Sequence, residues 1–242
     1  MTQATPQTAK SPKLYQYEVC PFCWKARVAL SLKKAPYEKV EVHPLNKKEI
    51  AFSDGYKKVP IYVDSVGAQV NDSNEIMKHI DKEFADGPKL FADENSEEAK
   101  ELQKWLDWSE TYVKAVPPLI YDNLPNALKA FDYITKVGNF STLQKMTIKY
   151  SGAFVMKMVA KKSKERQNIE DPAEHILVKM NEWTAALGGN PFRGGATPDA
   201  SDAAVFGITL SMKGLPAYEL TQKNPEFYAW MKRMSEQSGI AA

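Results

Sequence analysis

Cysteine and histidine are scarce in this chain. Among its 242 residues there are two cysteines and three histidines. A secreted disulfide scaffold needs many more cysteines, so we expect a reducing compartment and a cytoplasmic protein. Structural zinc takes four ligands, usually two C-x-x-C pairs or one pair with nearby histidines. No histidine stands at ligand spacing from the cysteines, and we therefore expect no metal site.

A strong net charge and a long apolar run are missing as well. The formal charge of +2 at pH 7 is too small for a phosphate-binding face, so we expect no nucleic-acid partner. The longest apolar stretch, residues 152–160, is interrupted by Lys157 and is shorter than the roughly 20 residues that cross a bilayer. Residues 1–13 lack the pattern of a signal or transit peptide, and we interpret them as a flexible tail.

The two cysteines lie close together in the stretch LYQYEVCPFCWKARVAL, residues 14–30. A short strand pattern ends there and a helix pattern begins at Pro21, which places Cys20 at the helix N-cap. Unpaired backbone N–H groups and the positive end of the helix dipole favour a thiolate at that position. Cys23 follows one turn later, faces inward and can resolve a mixed disulfide. A static cross-link of so short a loop adds little stability, so we interpret the pair as reactive.

The elements around the cysteines predict a thioredoxin-type domain over residues 14–88. A second strand is predicted over 37–42, a short helical piece over 47–52, and a hairpin from strand 59–63 to residues 69–70. A helix then begins after Asp72 and the segment closes at residues 87–88. Strand, helix, strand, hairpin and helix follow one another in the order of that fold.

Residues 96–242 predict a second, all-helical domain, joined to the first by a linker over residues 87–95. Apolar residues recur at helical spacing from Leu102 to Val116, where Pro117 and Pro118 are expected to end the helix. Further helices are predicted over residues 143–162, 173–187 and 201–213, the last one capped by Asp199 and Asp202.

Polar residues after the cysteines suggest a binding site for a thiol peptide. We expect the peptide bond before Pro60 to be cis, which leaves the preceding backbone free to pair with such a peptide, although a trans proline can also open an edge strand. Asp72 and Ser73 begin a helix whose N–H groups suit the γ-glutamyl carboxylate of glutathione, or serve only as an N-cap. Lys58, with Lys57, is a candidate for the glycyl carboxylate unless both are merely solvated.

Several segments carry a resemblance to a known family. LYQYEVCPFC, KKVPIYV and VNDSNEI resemble the glutaredoxin-like half of the glutathione transferase superfamily. NALKAFDYITKVGNF, KYSGAFVMKMVAKKSKER and PFRGGATPDASDAAVFG are similar to the prostaglandin E synthase type 2 family within it. The resemblance spans residues 14–234. It implies an α/β thioredoxin-like, glutaredoxin-type domain over 14–88, followed by an all-α glutathione transferase C-terminal domain over 96–242.

The resemblance also implies an activity. Cys20 becomes the catalytic thiol with Tyr17 and Phe22 in its pocket, two residues that otherwise suit an aromatic core. Val59, Asp72 and Ser73 become glutathione contacts. The implied reaction converts a prostaglandin endoperoxide to a ketone and an alcohol, and the implied cofactors are glutathione and a haem held through it.

Two other function classes stay open. One is a glutathione-dependent thiol–disulfide oxidoreductase acting on mixed disulfides, which needs only Cys20, Cys23 and the glutathione site. The other is a non-catalytic glutathione-linked haem or iron–sulfur binder, with two chains bridged at Cys20 as a homodimer.

The chain departs from the family in two respects. It lacks the hydrophobic N-terminal anchor, so we expect a soluble protein, and Trp24 follows the C-x-x-C pair. Basic residues from Lys157 to Arg166 lie beside an apolar stretch, where they suit either peripheral contact with anionic lipid or a solvated helix face.

Overall fold

The computed structural model describes residues 11–136 and 140–242, so residues 1–10 of the predicted tail lie outside the described part. The strands are β1 (Lys13–Gln16), β2 (Glu38–Glu41), β3 (Ile61–Val63) and β4 (Gln69–Asn71). The α-helices are α1 (Pro21–Leu32), α2 (Ser73–Glu83), α3 (Glu97–Ile120), α4 (Leu124–Ala130), α5 (Thr142–Arg166), α6 (Pro172–Leu187), α7 (Ala200–Leu210) and α8 (Pro225–Ser238). Shorter 3₁₀ helices cover Lys48–Ile50, Asp132–Lys136 and Pro216–Lys223.

The four strands form one mixed sheet in the order β2-β1-β3-β4. β1 pairs parallel to β2, with Leu14 opposite Lys39, and antiparallel to β3, with Leu14 opposite Tyr62. The parallel pair is joined through α1, as parallel strands require a crossover. This arrangement confirms the predicted thioredoxin-like domain followed by a helical one.

Helix α1 joins the two parts of the molecule because it packs closely against α7. Every residue of α7 is buried, so this helix lies in the middle of the core. A Cβ added at Gly207 would lie 2.7 Å from the backbone carbon of Trp24 and 2.8 Å from the backbone nitrogen of Lys25. A glycine at this crossing therefore lets the backbones of the two helices approach each other.

The start of α7 is fixed by the two aspartates that the sequence predicts there. Asp199 and Asp202 form a reciprocal capping box, which satisfies backbone N–H groups of the first turn. Asp202 is fully buried and also accepts hydrogen bonds from the backbone nitrogen of Arg193 at 3.0 Å and from Trp230 Nε1 at 2.9 Å. These bonds connect α7 with the preceding loop and with α8.

The prediction that Pro117 and Pro118 end a helix is wrong. Both prolines lie inside α3, which continues to Ile120. Pro118 has no N–H group for the carbonyl of Lys114, and two side chains of the α5 end replace it: Ser163 Oγ donates to that oxygen at 3.1 Å and Gln167 Nε2 at 3.0 Å. A tertiary contact thus compensates the local break.

Other element boundaries differ less from the predictions. The predicted helix 201–213 ends at Leu210, while α4 and α8 were not predicted. Among the described helices, none has the length and apolar composition needed for a membrane span.

Candidate functional site

Cys20 lies at the N-cap of α1, as predicted. Its backbone nitrogen donates to the carbonyl of Tyr17 at 3.1 Å, and its carbonyl accepts the first helical bond from Trp24 at 3.0 Å. Pro21 occupies the first helical position, where a missing N–H group costs nothing. Both cysteines are free thiols; Cys20 is half-buried and Cys23 is buried. Cys20 is therefore the more exposed of the two residues.

The surroundings of Cys20 favour its thiolate. The thiol of Cys23 donates a hydrogen bond that lowers the pKa of Cys20, and the backbone N–H groups of Cys23 and Phe22 lower it further. Partial burial and the carboxylate of Glu41 oppose this effect without reversing it. Burial raises the pKa of Cys23, as does its hydrogen bond to Cys20. The Cys20 thiol therefore ionises more readily and is the nucleophile of the pair, whereas the Cys23 thiol stays protonated.

A small apolar cluster brings several predicted site residues together. Buried Cys23 and Val59 belong to it, with Cys20 and Tyr17 packed against it. Burial raises the pKa of the Tyr17 phenol and the neighbouring thiol groups raise it further, so Tyr17 is a hydrogen-bond donor at neutral pH. Phe22 is half-buried and its ring packs against the larger core between the domains, while its backbone N–H lies at the Cys20 thiol.

The predicted glutathione contacts lie at two places. The Val59–Pro60 peptide bond is cis, as expected, and both residues are buried. Asp72 is exposed at the N-cap of α2 with φ of +69°, and its side chain accepts from the backbone nitrogen of Asn74 at 2.8 Å. Ser73 is buried in the first turn.

The two lysines before Val59 differ in their hydrogen bonds. Lys58 is exposed next to Val59. Lys57 is also exposed, but its Nζ donates to the carbonyl of Ser53 at 2.5 Å, so it is held within its own loop. Of the two, Lys58 is the better placed for a ligand carboxylate.

Tyr56 lies between these two places, and no sequence pattern predicts a role for it. Its hydroxyl accepts a hydrogen bond from the backbone N–H of Asp72, and its pKa, raised mainly by burial, also responds to the charges of Cys20 and Cys23. Tyr56 therefore lies between the reactive thiol and the start of α2. The side-chain oxygen of Asn74, in the first turn of α2, is buried without a hydrogen-bond partner among the described residues. Polar groups at this helix start are thus available to a polar ligand.

Two further tyrosines reach the site from the helical domain. Burial raises the pKa of Tyr121 and of Tyr133, and the charge of Cys20 adds to the shift of both. Tyr133 and Glu41 line an open cleft of about 1100 Å³ between the domains, which also has Lys39, Lys129 and Leu215 in its walls. Val19, the residue before Cys20 in the chain, also lines this cleft, which is large enough for a substrate with both polar and apolar parts.

An ion pair between a buried lysine and a partly exposed glutamate links the domains. Lys25 is completely buried on α1, and its Nζ lies 3.0 Å from Glu110 Oε1 on α3. Burial lowers the pKa of Lys25, whereas Glu110 and the charge of Asp72 oppose that shift. The positive charge is thus held between the helical domain and the start of α2.

The three histidines lie on segments other than the one that carries Cys20. Nδ1 of His43 accepts from the backbone nitrogens of Leu45 and Asn46, His79 lies 3.1 Å from Asp64, and His175 lies on α6. Within residues 11–136 and 140–242, no group of three metal-binding side chains occurs. None of these histidine contacts involves Cys20, so the described residues provide no histidine ligand for a haem at the thiol.

Comparisons with known proteins agree with this architecture. Residues 14–89 match the family model of the glutathione S-transferase N-terminal domain. Prostaglandin E synthase 2 of Danio rerio is 32% identical over 92% of this chain and 70% of its own length. Glutaredoxin 2 of Escherichia coli K12 is 34% identical over 39% of this chain and 41% of its own length. A solved structure of rice GST1 in complex with glutathione is 18% identical, with a TM-score of 0.57 over 94% of this chain and 88% of that one.

Proposed function

The chain belongs to the prostaglandin E synthase 2 family, and on that basis we propose that it is a glutathione-binding isomerase that converts a prostaglandin endoperoxide to prostaglandin E with the Cys20 thiol. The observation that carries the proposal is the lowered pKa of a half-buried thiol at the N-terminus of α1, directly after Val19, which lines the open cleft. An anionic sulfur is the nucleophile that the reaction needs.

The reaction can be written with this chain's own groups. The Cys20 thiolate attacks one peroxide oxygen, an S–O bond forms, and the weak O–O bond breaks toward the second oxygen. That oxygen takes a proton and becomes the hydroxyl group; the Tyr17 phenol, protonated at neutral pH, is the donor. Removal of the ring C–H proton then forms the ketone and expels the thiolate, so that no net oxidation or reduction occurs. The Tyr17 phenolate left by the first step is a strong base and takes this proton back.

Glutathione fits the residues around the thiol. Val59 would hold its backbone, while the N–H groups at the start of α2 and the hydroxyl of Ser73 would bind the γ-glutamyl carboxylate. Lys58 is the candidate for the glycyl carboxylate. The unpartnered side-chain oxygen of Asn74 and the hydroxyl of Tyr56 are further polar groups in this region. When bound, glutathione supplies a second thiol beside Cys20.

A thiol–disulfide oxidoreductase is the second candidate, and the Cys23 hydrogen bond to Cys20 favours it. In this reaction Cys20 attacks a glutathione mixed disulfide and releases the other thiol. Cys23 or a second glutathione then attacks the Cys20–glutathione disulfide. The similarity to glutaredoxin 2 over the first domain supports the same chemistry. Both candidates suit a cytoplasmic protein with few cysteines.

Two parallel assays test the proposal. Endoperoxide isomerisation and glutathione-dependent reduction of a small disulfide are measured for the wild type, Cys20→Ser and Cys23→Ser, with the spontaneous breakdown of the endoperoxide subtracted. We expect the wild type to form prostaglandin E, Cys20→Ser to lose this activity while remaining folded, and Cys23→Ser to retain most of it. Full isomerisation by Cys20→Ser would remove the thiol from the mechanism. Disulfide reduction without isomerisation by the wild type would establish the second candidate instead.

A further inference from the structure

The outer face of α5 carries a continuous row of exposed apolar side chains. Leu143 is 75% exposed, Tyr150 57%, Phe154 63% and Met158 55%. Their spacings of seven, four and four residues place them on one side of a helix, over a length of about 22 Å. We call these four residues the α5 stripe.

Exposed apolar residues are concentrated on this helix. Among the described residues, twelve large apolar side chains are prominently exposed, and seven of them belong to α5: the stripe together with Met146, Val155 and Val159. A single exposed apolar side chain is ordinary on a protein surface, whereas a contiguous row indicates a binding surface.

The C-terminal end of the stripe is strongly basic. Exposed Lys157, Lys161, Lys162 and Lys164 follow or flank Met158, and the acidic residue within α5 is Glu165. None of these four lysines takes part in an ion pair with another described residue. Their positive charges are therefore available to an anionic partner.

A groove runs along the same end of the helix. It has a volume of about 450 Å³, with Lys157, Lys161 and Met158 on one side and Pro118 and Leu119 of α3 on the other. Asp122 and Asp171 also line it, so the groove has mixed charge, and the charges that favour an anionic partner are those of the exposed lysines of α5.

We propose that the α5 stripe and its lysines bind the surface of an anionic lipid bilayer. Phe154, Tyr150 and the other apolar side chains would enter the boundary between headgroups and acyl chains, while the lysines contact lipid phosphate and carboxylate groups. Charge complementarity favours lipid over a second copy of the chain, because a copy carries the same unpaired lysines. The inference does not depend on the reaction catalysed.

Vesicle co-sedimentation tests the proposal with the full chain. Phosphatidylcholine vesicles are compared with vesicles that also contain about 30 mol% phosphatidylserine, at low and at raised salt. We expect binding to the anionic vesicles that weakens with salt. Phe154→Glu with Met158→Glu should weaken it at least about tenfold, and so should the replacement of Lys157, Lys161 and Lys164 by glutamine.

Two control variants keep the size of each change but place it elsewhere. Val66→Glu with Val178→Glu alters two exposed apolar residues outside α5, and glutamine at Lys100, Lys223 and Lys232 removes three exposed charges outside α5. Both controls should bind like the wild type. Absence of wild-type binding to anionic vesicles would overturn the proposal. It would also be overturned if the stripe variant bound vesicles normally and instead converted a dimer to a monomer in analytical ultracentrifugation, because the row would then be an interface between two copies.

Discussion

The thiol of Cys23 donates a hydrogen bond to the sulfur of Cys20, the residue one helical turn before it. This bond is the largest single cause that lowers the pKa of Cys20, ahead of the backbone N–H groups at the start of α1. Cys23 therefore serves the reactive thiol even in a reaction that forms no disulfide. A helix N-terminus alone stabilises a thiolate only in part, and the second cysteine completes its surroundings.

Replacing Cys23 by alanine should raise the pKa of Cys20. A hydrogen bond to a charged group contributes about 1.5–3 kcal/mol, so alkylation of Cys20 by iodoacetamide at pH 7 should slow by about tenfold or more. Because the thiolate is the reacting form, the alkylation rate of the wild type should reach half of its maximum at a lower pH than that of an unperturbed cysteine. The measurement is the alkylation rate from pH 4 to 10.

Cys23→Ser is the matched variant, since a serine hydroxyl can donate the same hydrogen bond to Cys20. Its pH profile should stay closer to that of the wild type than the profile of Cys23→Ala does. If Cys23→Ala titrates like the wild type, the N–H groups of the helix are sufficient and the hydrogen bond has no role in the acidity of Cys20.

The first domain could be predicted closely from the sequence because its signals are local. Pro21 fixes the start of α1, and alternation or short apolar runs mark the strands, so Cys20 was placed correctly at the N-cap. The end of α3 cannot be predicted from Pro117 and Pro118 alone. Ser163 and Gln167, which are distant in sequence, donate hydrogen bonds in place of the missing proline N–H group.

The candidate site was predictable only where it lies within one element. Tyr56, Tyr121 and Tyr133 approach Cys20 from a loop and from the helical domain, and no spacing in the sequence connects them with it. Phe22 lies two residues after Cys20, and only the fold shows that its half-buried ring packs against the larger core. Contacts between distant segments require the fold.

Tyr17→Phe should reduce isomerase turnover without weakening glutathione binding. The phenol is proposed to donate to the developing alkoxide, and loss of one such donor costs on the order of 100-fold in kcat. Steady-state kinetics at saturating glutathione and calorimetric titration of glutathione separate the two quantities.

Tyr56→Phe is expected to show the reverse pattern. It removes the acceptor for the backbone N–H of Asp72, so the glutathione affinity should fall about fivefold while turnover at saturating glutathione is preserved. Identical profiles for Tyr17→Phe and Tyr56→Phe would contradict the separate roles assigned to them.

Glu110→Gln should destabilise the fold because it leaves the buried Lys25 ammonium group without a counter-charge. Removing one partner of a fully buried pair costs about 3 kcal/mol or more, but the Glu110 side chain is 35% exposed, so solvent screening should reduce the loss of unfolding free energy to about 1–2 kcal/mol. The double variant Lys25→Met with Glu110→Leu removes both charges and should recover most of that loss. Urea unfolding of the single and double variants measures this difference, and an unchanged midpoint for Glu110→Gln would show that water replaces the carboxylate.

Gly207→Ala should lower stability because the new methyl group meets backbone atoms of α1. These are the carbonyl carbon of Trp24 at 2.7 Å and the nitrogen of Lys25 at 2.8 Å, and neither can rotate away. Overpacking of this kind costs about 1–3 kcal/mol, which corresponds to a decrease of about 3–10 °C in Tm.

Gly152→Ala provides the comparison for Gly207→Ala, because both glycines lie inside helices and a Cβ at either meets an atom closer than 3.0 Å. At Gly152 the atoms met are the outer ring atoms of Phe131, a side chain that can shift, and alanine gains about 1 kcal/mol over glycine within a helix. Its Tm should therefore change less than that of Gly207→Ala in thermal unfolding followed by circular dichroism. Equal decreases in Tm for the two variants would mean that α1 moves away from α7 as readily as the Phe131 ring shifts. The crossing at Gly207 would then not fix the position of α1.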